Sequence, residues 1–204
     1  MNFPVVAAVV SGLLAAGWQT SPTQFSPDSN LEHVEQGRLP SAGGGGVSYR
    51  IRLLPLTSFP EMPSPVMIQL SRRGCMVPQS FEAQAPENVI HGSFQTPGSS
   101  DWAALCSVGG STTLYVFLGG QLETPIALRS QPDTAWLGAE PGSSVFGSGW
   151  GISVRSAGDL RASHQLHGAA AFDHDGIEDA HLEHSTTVRY REGSQWLALG
   201  NASP

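Results

Sequence analysis

Carboxylates and imidazoles crowd into one stretch of this chain. Between His164 and His184 lie five of its seven histidines and five of its seventeen acidic residues. The densest part is Asp173-His174-Asp175-Gly176-Ile177-Glu178-Asp179. Calcium takes six to eight oxygen ligands, so it needs clustered carboxylates on a sharply turned backbone. A glycine after the second aspartate permits such a turn. Asp173, Asp175 and Asp179 are therefore candidate calcium ligands, with His174 and Glu178 as neighbours. The count of positions limits this reading. With Gly176 as the sixth position of an EF-hand loop, Leu182 falls where a bidentate Glu belongs. A shorter register that gives the three aspartates the last acidic positions leaves Ala171 at the first.

Two other readings compete. His164, His167, His174, His181 and His184 contain His-x-x-His twice, and residues at that spacing share one helix face. Zinc asks for converging ligands, four in a structural site. A metal-dependent hydrolase built on Asp173, Asp175, His174 and the neighbouring histidines would need an open water position beside a general base such as Glu178. The third reading is a polar turn in which Asp173 or Asp175 bonds neighbouring backbone amides.

Nucleophilic catalysis finds little support, and no residue is assigned a catalytic role. The chain has no Gly-x-Ser-x-Gly elbow, and Gly147-Ser148-Gly149-Trp150-Gly151 lacks the continuation of a phosphate loop. Cys75 or Cys106 with His91 would form a thiol dyad. With only two cysteines in the chain, a Cys75–Cys106 disulfide is the more economical reading, and buried free thiols are its alternative. Closing that loop would contribute about 3 kcal/mol.

The elements that must carry these residues follow from composition. The chain has 204 residues, enough for one domain with a hydrophobic core. It is 40% hydrophobic and 13% charged, with 24 Gly and 15 Pro, which favours short strands and turns over long helices. The net charge is -7 and all ten basic residues are Arg, with no run beyond Arg72-Arg73, so a nucleic-acid footprint is absent. Residues 1–18 resemble a signal peptide, with an apolar stretch from Val5 to Ala16, although no basic residue precedes it. That stretch falls short of the length that spans a bilayer, so no stable membrane span is expected after its removal. Residues 19–46 read as a Gly/Ser/Pro linker ending in Gly43-Gly44-Gly45-Gly46.

Residues 47–204 are expected to form a single β-rich domain. Alternation marks a strand over Val47–Leu53, and further strands are expected at Asn88–Phe94, Trp102–Cys106, Thr112–Leu118, Gly149–Val154, Thr186–Tyr190 and Gln195–Leu199. Gly193-Ser194 predicts the turn of the last hairpin. Pro63 to Arg73 predicts a helix, capped by Ser64, opened by Pro65, with Val66, Met67 and Leu70 on one face and Gly74 ending it. The fold class is α+β or mainly β: an antiparallel sheet of short strands and hairpins with one or two helices.

Three stretches in order carry a resemblance: Cys75-Met76-Val77-Pro78-Gln79, then Gly92-Ser93-Phe94 through Asp101-Trp102-Ala103-Ala104-Leu105-Cys106, then Asp173 to Asp179 leading to Tyr190 and Trp196-Leu197-Ala198-Leu199. Over about residues 60 to 200 the chain resembles a family of bacterial hypothetical proteins with export-like N-termini, which brings no activity with it. Gly92-Ser93-Phe94 also has a weaker similarity to FG-GAP-type repeats, which implies at most a shared hairpin style, since no regular repeat runs through the chain. The functional expectation is an exported (periplasmic or extracellular), non-enzymatic domain that binds a protein or envelope ligand, with calcium as the candidate cofactor.

Overall fold

A computed structural model describes residues 31–40, 44–139, 142–163 and 172–200. The proposed signal peptide, His164, His167 and Ala171 lie outside them. The described residues are mainly β, with three sheets of short, mostly antiparallel strands and two helices.

The first sheet holds β1 (His33–Pro40), β2 (Gly46–Leu54), β3 (Val77–Gln79), β8 (Leu137–Ala139) and β9 (Val145–Ser148). Its order is β1-β2-β9-β8, with β3 also on β2, and the β2–β9 pair is parallel. Residues 33–40 were expected within the linker, yet they form β1 and pair with β2 from His33↔Leu53 to Pro40↔Gly46. Their linker-like polarity is that of an edge strand, since β1 leaves most of its side chains in water.

The second sheet is a meander of β4 (Val89–Gly92), β5 (Asp101–Val108), β6 (Ser111–Phe117) and β7 (Ile126–Pro132). Gly109 and Gly110 join β5 to β6 with φ of 58° and 81°. Two positive values define the type I′ turn that suits a right-twisted hairpin. β5 is buried along seven of its eight residues, because both of its faces are covered. Trp102, Ala104 and Cys106 pack with Val66 and Leu70 of α1 (Ser64–Ser71), while Ala103 and Leu105 pack with Trp150, Ile152 and Ile177 of the third sheet.

Helix α1 forms close to where expected, with Val66 and Leu70 fully buried and Gly74 leaving it at φ 73°. Its start differs. Pro63 occupies the N-cap position, no side chain caps the helix, and Ser64 is its first residue. The helix exit leads straight to the Cys75–Cys106 disulfide, with Cα atoms 5.1 Å apart. The bond pins the segment leaving α1 to the C-terminal half of β5.

The third sheet runs β10 (Trp150–Arg155), β11 (Gly176–His181), β12 (Ser185–Glu192) and β13 (Gln195–Gly200) in sequence order. Gly193, at φ 61°, opens the expected two-residue turn between Glu192 and Gln195. Between β10 and β11 the chain makes an excursion through α2 (Ala157–Ser163) and re-enters the sheet opposite its exit, at Arg155↔Gly176. Ser156 caps α2: its hydroxyl accepts the Asp159 amide at 3.1 Å and donates to the Asp159 carboxylate at 2.7 Å.

Asn88 welds the sheets at one point. It is buried, at φ 69°, and its amide nitrogen donates to the Pro78 and Trp150 carbonyls at 2.8 and 3.2 Å. Its side-chain oxygen accepts the Ile152 amide at 2.9 Å. Asparagine is among the few side chains that tolerate this backbone region.

Candidate functional site

The acidic stretch divides at Gly176. Asp173 to Asp175 form the loop that returns from the excursion, and Gly176 to Asp179 belong to β11. Gly176 does not turn the chain through a positive φ. It permits close packing instead: a Cβ there would sit 2.8 Å from Val188 Cγ1 and 3.3 Å from the Arg189 carbonyl oxygen.

Each carboxylate has a separate set of donors. Asp175 lies at the neck of the excursion. Its Oδ1 accepts the Ala157 amide at 3.2 Å, the first amide of α2, and its Oδ2 accepts the Ser93 amide at 3.1 Å. The Asp175 amide returns a hydrogen bond to the Ser93 carbonyl at 2.9 Å. One side chain thus closes the neck and ties it to the β4–β5 connection. Arg161 adds a bond from α2 to the Phe172 carbonyl.

Asp179 is buried between the second and third sheets. Its Oδ1 accepts the Trp150 indole N–H at 2.9 Å. Its Oδ2 accepts both Nε and Nη2 of Arg189, at 3.0 and 2.9 Å, with Arg129 Nη1 at 3.6 Å. The Arg129 guanidinium lies 4.0 Å from the Trp136 ring centroid, a cation–π contact. Trp136 also stacks on His181 at 4.9 Å. Burial pushes the His181 imidazole down, and the neighbouring His184 and Arg129 push it the same way. Glu178 faces Arg155 at 3.7 Å.

Asp173 is the exposed member. Its Oδ1 lies 2.6 Å from His174 Nδ1 and accepts the Tyr190 hydroxyl at 3.3 Å. Tyr190 Oη is also 3.0 Å from His174 Nδ1. The hydrogen bond from His174 holds the Asp173 carboxyl below the usual carboxylate range, with the imidazole's charge and the Tyr190 hydroxyl assisting. Burial raises the Tyr190 phenol. His174 is itself 6% exposed, and its Nε2 is buried with no hydrogen-bond partner among the described residues.

His174 lies two residues before β11 and His181 at its far end, so the described histidines of the zinc reading do not all meet at one point. His181 and His184 do meet, with ring centroids 4.2 Å apart. Among the described residues no group of three or more His, Cys, Asp or Glu is placed to hold one metal ion. The Cys75–Cys106 bond is present, so no thiol is left to pair with His91.

A cleft of about 560 Å³ opens beside the loop. Asp173, His174 and Tyr190 form one side, Gln95 and Thr96 from the β4–β5 connection another, and Arg191 and Glu192 at the last hairpin a third. Asp101 shapes the β4–β5 wall: its buried carboxylate accepts the Gln95 amide at 2.8 Å, the Ser99 hydroxyl at 2.5 Å and the Gly119 amide at 2.6 Å. The sequence marks the aspartates as site candidates, names Ser93, Asp101 and Tyr190 only within the stretches that carry the resemblance, and gives no sign of Arg129 or Arg189. An aromatic or arginine that recurs at strand spacing carries no sign of which carboxylate it will meet across a sheet.

Among known proteins, no family model, no curated protein and no solved structure matches this chain.

Proposed function

We propose that this chain is an exported, non-catalytic domain that binds a polar ligand of the cell envelope in the cleft beside Asp173. The observation that carries the reading is the cleft itself, whose volume falls in the range of ligand sites. Its walls are fixed by the bonds of Asp101 and Asp175, and it offers hydroxyls, an amide, one guanidinium and two carboxylates. That mixture suits a glycan–peptide fragment, which presents donors and acceptors in comparable number. The disulfide supports an oxidising compartment.

The acidic loop serves this site as a clasp. Asp175 and Asp179 direct their oxygens at protein donors, which gives them a structural role in holding the loop. Calcium is an outcome of the test. Isotope-labelled protein is titrated with soluble peptidoglycan fragments and, separately, with calcium followed by EDTA, while backbone amide shifts are recorded. The expected result is saturable shifts at Thr96, Asp173, His174, Glu192 and Ser194 with the fragments. Shifts confined to Asp173–Asp179 with calcium, reversed by EDTA, would give the loop to the ion. No saturable shift at the cleft with any fragment would sink the binding reading.

A further inference from the structure

A second cavity lies away from that cleft, on the first sheet. It has a volume of about 280 Å³, and its lining includes Arg50, Arg52, Gln79, Ser80, Phe81 and Ser148. Strand alternation explains the two arginines: Ile51 and Leu53 point into the core at 0% and 2% exposure, so Arg50 and Arg52 share the opposite face of β2.

The opposing wall is rigid and polar. Gln79, Ser80 and Ser148 are all at least nine-tenths buried. The Gln79 side chain donates to the Val77 and Glu87 carbonyls at 3.2 and 3.0 Å and accepts the Glu87 amide at 2.9 Å. The Ser80 amide donates to Glu87 Oε1 at 2.8 Å, and the Phe81 amide donates to the Ser148 carbonyl at 2.8 Å. The Phe81 ring fills the space that a Cβ at Gly138 would occupy, and Phe81 Cβ and Cα crowd the same space at Gly147, which locks the segment against β8 and β9. Against this fixed wall the Ser80 hydroxyl has no hydrogen bond to a described residue.

Charge is unbalanced there. Arg52 pairs with Glu32 at 2.9 Å, an exposed contact of small worth. Arg50 makes no ion pair or hydrogen bond with any described residue. The chain has seventeen acidic residues and a net charge of -7, yet no described acidic residue lines this cavity. Glu87 is near in sequence to the wall, but its carboxylate is taken by the Ser80 amide.

We propose that this cavity binds a small oxyanion (a carboxylate, sulfate or phosphate group) through Arg50 and Arg52, with the Ser80 hydroxyl donating a hydrogen bond. A guanidinium presents N–H groups in a planar fork that matches such oxygens, and charge-assisted bonds of this kind are the strong ones. The volume, near the lower end for ligand sites, limits the whole ligand to roughly the size of one sugar ring.

Calorimetry tests this at low ionic strength with sodium sulfate, sodium phosphate and glucuronate, and with glucose as the neutral control. Saturable binding of at least one oxyanion and none of glucose is expected. Whichever of the three binds tightest identifies the source, an inorganic oxyanion or a sugar carboxylate. Arg50→Gln should weaken that binding about tenfold or more, and Ser80→Ala by a few-fold. Arg72→Gln, at the exposed end of α1, should leave it within twofold. Absence of saturable binding for all three anions would overturn the proposal. So would an unchanged Arg50→Gln variant, or equal losses in Arg50→Gln and Arg72→Gln.

Discussion

At the scale of single residues, the aspartates that share a short stretch of sequence have different tasks because their partners differ. Asp179 has a fully buried side chain facing an indole N–H and two guanidinium groups. Removing one partner of a buried ionic cluster strands the others, so Asp179→Ala should cost about 3 to 5 kcal/mol in urea unfolding. A cost below about 1 kcal/mol would show the cluster to be dispensable. Asp173 is exposed, and its effect is one of pH. Its carboxyl is depressed in the fold, first by the His174 hydrogen bond, so its stabilisation is present above the unfolded value of 3.8 and fades as pH falls through the folded value. Stability curves of the wild type and Asp173→Asn should therefore separate at neutral pH and converge in acid. A constant gap at all pH values would contradict this. The sequence displayed the three carboxylates but not their division of labour, because strand β11 begins at Gly176 and directs Asp179 across the sheet, away from Asp173.

At the scale of elements, sequence pattern was informative where one face is buried or a turn has strict chemistry. Helix α1 with its Gly74 exit and the last hairpin at Gly193-Ser194 were legible for that reason. Strands β1, β8 and β9 were not. β1 is exposed and polar, and β8 and β9 are short segments whose pairing depends on distant partners. Asn88 was equally silent, since its three side-chain bonds reach β3 and β10. Asn88→Ala should cost about 3 kcal/mol by leaving buried amide and carbonyl groups without partners, read as a lowered urea midpoint. Reducing the Cys75–Cys106 bond should cost a similar amount, about 3 kcal/mol, and should loosen the α1–β5 contact in hydrogen exchange before the third sheet opens.

Strand β1 carries a pH effect of the opposite sign. Glu35 accepts a hydrogen bond from the Tyr49 hydroxyl at 3.3 Å. Burial, together with the nearby Asp133 carboxylate, raises its carboxyl above the ordinary 4.5. Asp133 is itself buried and accepts the Ser107 and Thr112 hydroxyls at 2.5 and 2.6 Å. A raised folded value means that Glu35 contributes stability below pH 4.5, which is lost as pH rises through the folded value. Glu35→Gln should remove that dependence and slow amide exchange in β1 at neutral pH. Unchanged exchange between the two proteins would refute the assignment.

At the scale of the molecule, three sheets meet around a few buried polar side chains, and the cleft beside Asp173 is lined by connections and strand ends of the second and third sheets. The Asp175 clasp, the Asp101-organised connection and the turn at Gly193 bring residues from distant parts of the sequence to the sides of one cleft. None of that convergence was readable beforehand, since it depends on the excursion between β10 and β11 closing on Ser93. The most direct test of the binding account is the amide-shift titration of labelled protein with soluble peptidoglycan fragments. The account predicts saturable shifts centred on Thr96, Asp173, His174 and Glu192, abolished by Asp173→Ala together with Glu192→Ala in a protein that still melts cooperatively. Shifts absent from the cleft, or equally large in the double variant, would contradict it.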